Sequence, residues 1–203
     1  MDKLFKRKVL KYIAPNLKFK RQITILVCIT VLLFGTFGCD QVFGPPEYSV
    51  RRVSDGDTLA LTDPNGEKIS VRFACVDAPE IPHTNKEKKS RRLADRSQFK
   101  WGKKAQERLQ ELVSGAGNRV RLDVTDKDRY GRSVAEVRLP DGTFVQEVLV
   151  SEGLAVVYPP YLKNCPSKIF VQQAQGGAKA NQKGVWSDKR FIDPWEYRKQ
   201  KKK

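Results

Sequence analysis

Three clusters in this 203-residue chain carry side chains that can do chemistry. Asp55-Gly56-Asp57-Thr58 sets two carboxylates beside a hydroxyl. Val71 to Glu80, VRFACVDAPE, places Arg72 inside an apolar run and ends in Asp77 and Glu80 on either side of a proline. Asp128-Arg129-Tyr130-Gly131-Arg132 gathers an acid, two arginines and an aromatic ring. Carboxylates are hard oxygen donors for a cation and acceptors for a water proton. Arginine offers a planar fork that matches the oxygens of a phosphate. Each cluster alone has an ordinary structural reading: a turn, a strand end or helix cap, a solvated hairpin loop. All three together, in this order and in one strand-rich pattern, argue for a shared site.

The remaining composition narrows the chemistry. His83 is the one histidine, which argues against histidine metal clusters and mechanisms built on histidine pairs or Ser-His-Asp triads. The four cysteines, Cys28, Cys39, Cys75 and Cys165, form no CxxC pair, so a zinc ribbon is not indicated. The net charge is +16, with 39 basic and 23 acidic residues. The first 39 positions hold eight Lys/Arg and one Asp, so residues 40–203 keep a charge of +9. Such a field attracts polyanions, with nucleic acid the first candidate and anionic membrane the second.

The elements that must position the clusters are mostly short strands. Tyr48 to Val53 and Thr58 to Thr62 flank the Ser-Asp-Gly-Asp turn, and Asp63-Pro64-Asn65-Gly66 marks a hairpin. Ile69, Val71, Phe73 and Cys75 alternate with Ser70, Arg72, Ala74 and Val76, so period 2 puts Arg72 on the face opposite Val71 and Phe73. Residues 83–100 are polar and charged and read as an exposed loop. A helix follows on Trp101, Ala105, Leu109, Leu112 and Val113, ending near Gly115. Arg119 to Thr125 alternates again with Val120, Leu122 and Val124 facing inward, and Ser133 to Leu139 is a strand closed by Pro140-Asp141-Gly142. Val145 to Glu152 reads as a short helix, Leu154 to Val157 as the closing strand, and Ile169 to Gln182 as a last helix weakened by Gly176-Gly177. The expected fold is mainly β with helices (α+β): five short strands closing into a small barrel with helices packed on it. The domain spans residues 48–195, and residues 196–203 read as a basic, disordered tail.

SDGDT, VRFACVDAPE, DRYGR and the later EGLA and GVW together resemble the staphylococcal nuclease (thermonuclease) family over residues 48–190. The resemblance implies a five-stranded OB-type barrel with three helices, Ca²⁺ as cofactor, and cleavage of phosphodiester bonds in DNA and RNA. Carried over by position, it implies Asp57, Asp77 and the backbone carbonyl of Ala78 as metal ligands. Threonine stands at the Ala78 position in the best-known member, but a carbonyl ligand comes from any residue. It further implies Arg72 and Arg132 on the scissile phosphate and Glu80 on the attacking water, with Asp55 and Thr58 beside the metal. Tyr130, Tyr158 and Tyr161 fall near nucleotide-contacting positions, with Pro159-Pro160 disturbing the spacing of the last two. The segment 86–104 and the tail from 198 are expected on the phosphate backbone, which gives salt dependence and little sequence preference. The other reading is a nucleic-acid-binding module without catalysis, which would leave its filled acid and arginine positions idle.

Residues 1–21 are basic and residues 22–39, QITILVCITVLLFGTFGC, are uncharged throughout. This pattern is expected to target a membrane and export the rest of the chain. Thr36-Phe37-Gly38-Cys39 resembles a lipoprotein signal with Cys39 as the lipidated residue, while an 18-residue apolar run also suits a short uncleaved anchor. A secreted product is a third outcome. Residues 40–47, with Gly44-Pro45-Pro46, form a tether. Export permits a Cys75–Cys165 disulfide. The alternative is a buried Cys75 and a surface thiol at Cys165.

Overall fold

The computed structural model describes residues 45–202. The apolar segment 22–39 and Cys39 lie outside the described residues. Along the chain run β1 (Glu47–Val53), β2 (Thr58–Thr62), β3 (Lys68–Phe73), β4 (Val76–Asp77), α1 (Asn85–Lys88), α2 (Leu93–Gly115), β5 (Arg119–Lys127), β6 (Ser133–Arg138), α3 (Val145–Ser151), β7 (Val156–Val157), α4 (Lys168–Ala180) and α5 (Pro194–Lys201).

Five strands close into a barrel in the order β1-β2-β3-β6-β5. The β3–β6 pair is parallel and the other pairs are antiparallel. Alternation drives the closure, since Leu59, Leu61, Val71, Phe73, Val120 and Val137 are fully buried. Each such side chain contributes about 1.5–3 kcal/mol by leaving water. Helix α2 packs on the barrel through Trp101, Ala105, Leu109 and Val113, one buried residue per helical turn. This is the OB-type α+β architecture expected from the sequence.

Several expectations are corrected. Leu154 to Val157 does not close the barrel: only Val156–Val157 is a strand, and it pairs with β4 in a separate two-stranded sheet. Residues 83–100 are not a loop. Thr84 caps α1 with a reciprocal Thr84–Glu87 capping box, and α2 begins at Leu93. Two further turns of α2 therefore bury Asp95, Ser97 and Gln98, each hydrogen-bonded to a partner distant in sequence. Val124 is exposed, because the β5–β6 register shifts between Val124 and Asp126.

The basic segment from 196 is not a disordered tail but most of α5, whose Tyr197 is fully buried and donates its hydroxyl to Asp95 at 3.0 Å. With α1 and α5, the α-helices among the described residues number five. The strand through Val71 and Phe73 stops short of Cys75, which takes φ 71° and turns the chain. Cys75 is disulfide-bonded to Cys165, with Cα atoms 5.3 Å apart, joining the β3 end to the start of α4. Cys165 is buried, not a surface thiol.

Candidate active site

The register of β2 against β3 sets the first contact. Thr58 is paired with Arg72, and the Phe73 N–H donates to the Asp57 carbonyl at 2.8 Å. Asp57 therefore meets the outward face of β3, where alternation places Arg72. The guanidinium of Arg72 donates to Asp57 Oδ1 at 2.5 Å and to Asp77 Oδ1. The turn at Cys75 delivers Asp77 to that position, and pairing with Val156 of β7 fixes it there. Asp57 is held further by the Thr58 hydroxyl at 3.2 Å and the Ala78 N–H at 2.6 Å. Asp55 accepts the Asp57 N–H at 3.0 Å and closes the turn.

Glu80 is positioned from below by α2. Its N–H donates to Gln98 Oε1 at 3.1 Å, and Gln98 also donates to the Ile192 carbonyl at 2.5 Å. The helix comes so close that a Cβ on Gly102 would lie 2.2 Å from the Glu80 carbonyl oxygen and 2.5 Å from that of Pro79. A Cβ on Gly56 would lie 2.7 Å from the Cβ atoms of Ala105 and Ala78. Two glycines thus let one helix support both acid-bearing turns.

Arg132 stands on the β5–β6 hairpin across the same cleft. Asp128 organises this loop, accepting the N–H groups of Tyr130 and Arg132 and the Arg132 Nε at 2.7 Å. The Arg132 Nη groups are left for an acceptor in the cleft. The cleft is about 790 Å³ and is lined by Asp55, Arg72, Glu80, Arg132, Tyr158 and Tyr161 among others. Tyr130 also lines it and is exposed, with the guanidinium of Arg129 4.9 Å from its ring centre. Tyr158 and Tyr161 pack edge to face at 4.8 Å, and Trp195 of α5 lies 5.2 Å from Tyr158. The structure thus brings together Asp55, Asp57, Thr58, Arg72, Asp77, Ala78 and Glu80 in one network, with Arg132 and the three tyrosines around the same cleft. Cys75 and Cys165 lie outside it.

Arg198 is the group that sequence reasoning missed. From α5 it donates to both oxygens of Asp77, at 3.2 and 2.6 Å, and to Glu80 Oε1 at 2.7 Å. Its helix carried a readable signal in Asp193-Pro194-Trp195-Glu196: an N-cap acid, proline in the first turn, then an acid ahead of the basic residues.

The electrostatics follow from burial. Asp57 and Asp77 are almost fully buried. Burial pushes the Asp57 carboxyl up to about 7 against the opposing charge of Arg72, and burial likewise raises Asp77. Burial works against the charge on Arg72, but Asp57 and Asp77 outweigh it and raise its pKa. Four carboxylates, Asp55, Asp57, Asp77 and Glu80, face two arginines, Arg72 and Arg198. Two desolvated carboxylates next to the Ala78 backbone, each with its charged form disfavoured by burial, make a hard-oxygen donor set. That set fits a divalent cation of the calcium kind.

The staphylococcal nuclease homologue profile matches residues 70–188 of this chain. Endonuclease YhcR of Bacillus subtilis (strain 168) is 36% identical over 160 residues, covering 76% of this chain and 13% of that protein. An uncharacterized endonuclease of Escherichia coli O157:H7 is 32% identical over 152 residues, 75% of this chain and 84% of its own length. A thermonuclease of Staphylococcus intermedius is 32% identical over 171 residues, 80% of this chain and 93% of its own. The chain thus spans a small part of the first relative and most of the other two.

Proposed function

The chain belongs to the staphylococcal nuclease homologue family, and from that premise we propose that its cleft hydrolyses phosphodiester bonds in DNA and RNA with Ca²⁺ as cofactor. The observation that carries this reading is the joining of Asp57, Arg72, Asp77 and Glu80 in one hydrogen-bonded network at the wall of a cleft that Arg132 enters from the other side.

Asp57, Asp77 and the Ala78 carbonyl would hold the calcium ion, which would supply Lewis-acid polarisation of a phosphate oxygen. Arg72 is fixed by two acids at the floor of the cleft and turns its charge toward the same phosphate. Arg132, oriented through its Nε by Asp128, brings its Nη groups to the developing negative charge on the phosphoryl oxygens. Groups already oriented cost no reorganisation as that charge grows, which is the source of their catalytic effect. Glu80 accepts or orients the proton of the attacking water. Asp55 and Thr58 hold Asp57 in place.

Tyr130, Tyr158 and Tyr161 give bases a surface to stack on, which favours single strands. The exposed basic side chains of the 86–104 segment and of the 198–203 end, Lys199 and Lys202 at the cleft among them, contact the phosphate backbone without reading sequence. The enzyme works on the outer side of the cell envelope, held by residues 22–39 or by a lipidated Cys39. In the test, Glu80→Gln and Arg132→Ala each lose about 10²-fold or more in rate while melting close to the parent. Parent rates in either variant would mean that the site is misassigned.

A further inference from the structure

Arg198 sits on the two acids that the proposed chemistry needs free. Its Nη1 and Nη2 occupy both oxygens of Asp77, and Nη1 also holds Glu80 Oε1. A carboxylate offers about four acceptor positions. Asp77 spends one on Arg72 and two on Arg198, and Asp57 spends three on Arg72, Thr58 and Ala78.

The donors differ in how firmly they are fixed. Arg72 rises from the middle of the barrel sheet with 12% of its side chain exposed, and Thr58 and the Ala78 N–H belong to the same buried turns. Arg198 reaches in on a long side chain that is 37% exposed, from a helix outside the barrel. Helix α5 itself is well anchored. Tyr197 is buried against Asp95, Lys201 pairs with Glu87, and Trp195 rests on Tyr158. The movable part is therefore the arginine side chain, not the helix.

We infer that Arg198 is a built-in counter-cation of the acid site, which a divalent cation must displace from Asp77 before the site can act. This inference rests on the calcium reading above. While Arg198 is in place, three of the acceptor positions of Asp77 are taken and both of its oxygens carry a guanidinium, and one oxygen of Glu80 is likewise engaged. Displaced, the guanidinium remains in the cleft, on the side where Arg72 and Arg132 meet a phosphate. Arg198 is thus a positioning residue that sets the metal concentration at which the site loads.

The experiment is calorimetric titration of the purified protein with Ca²⁺ for the parent, Arg198→Gln and Arg198→Lys. Removing a unit charge in direct contact with the ligand carboxylate of Asp77 should tighten Ca²⁺ binding by about tenfold or more in Arg198→Gln. Arg198→Lys keeps the charge and should stay nearer the parent. Melting curves give a second reading that does not depend on activity. Without Ca²⁺ the Gln variant should melt below the parent, because Asp77 Oδ2 and Glu80 Oε1 lose their guanidinium donor and Asp77 Oδ1 keeps only Arg72. Saturating Ca²⁺ should close that gap. Equal or weaker Ca²⁺ binding in Arg198→Gln would overturn the inference and leave the calcium reading intact. Absence of Ca²⁺ binding in every form would overturn both.

Discussion

Gly102→Ala is a one-methyl change with a calculable consequence. The added Cβ would stand 2.2 Å from the Glu80 carbonyl oxygen and 2.5 Å from the Pro79 carbonyl oxygen, both backbone atoms. Those distances fall roughly 1 Å or more short of ordinary contact, so either α2 or the 79–80 backbone must retreat by about that much. Overpacking of this kind costs about 1–3 kcal/mol. In a domain of this size each kcal/mol lowers the melting temperature by roughly 2–4 °C. Helix α2 is pinned along its length by Trp101, Ala105, Leu109 and Val113, so the 79–80 turn is the side that yields. Glu80 then moves by about 1 Å from its place beside Asp77, and a misplacement of that size costs about 10²-fold in rate. The assay is the initial rate of single-stranded DNA cleavage in Ca²⁺, measured well below the variant's own melting temperature. A variant that melts lower but cleaves at the parent rate would refute the claim that this close approach positions Glu80. Parent values for both would refute the geometry itself.

Gly176 and Gly177 lie inside α4, where an added Cβ meets nothing within 4 Å. Gly176→Ala and Gly177→Ala should each stabilise the fold by about 0.5–1 kcal/mol in urea melts, with cleavage unchanged. Asp188 is a pH-linked site. Burial works to raise its pKa, but hydrogen bonds from the Arg190 N–H, Ser97 and Trp101 outweigh it and hold the carboxyl at about 2. A depressed folded-state pKa adds stability above the unfolded value near 4 and loses it as pH falls from there through about 2. Asp188→Asn should cost about 1–2 kcal/mol at neutral pH, and the gap to the parent should shrink between pH 4 and 2. A gap constant over that range would rule out the charge as its source.

The site was legible where local pattern and chemistry coincide. Period 2 in Val71-Arg72-Phe73 was enough to put the guanidinium opposite the core, and the acids of the Asp55 and Asp77 turns then had one cation to meet. What stayed hidden depends on partners distant in sequence. The first turns of α2 bury polar residues, so no apolar stripe marks them: Asp95 is satisfied by Tyr197, Ser97 by Asp188 and Gln98 by Ile192. Residues 196–203 look like a solvated charge run until Tyr197 is seen to be buried and Arg198 to reach back to Asp77. Gly102 reads as a flaw in a helix, and only the Pro79-Glu80 backbone pressed against it explains why no side chain fits. Cys75 continues the alternation of its strand in sequence, yet its positive φ turns the chain and delivers Asp77.

The measurement that bears most directly on the central claim is cleavage of single-stranded DNA and RNA by the purified protein in Ca²⁺ and, side by side, in EGTA. Cleavage of both polymers in Ca²⁺, and its loss in EGTA, is the predicted result. Equal cleavage in the two tubes, or none in Ca²⁺, would contradict the assignment of Asp57, Asp77 and Ala78 as the calcium site of a nuclease.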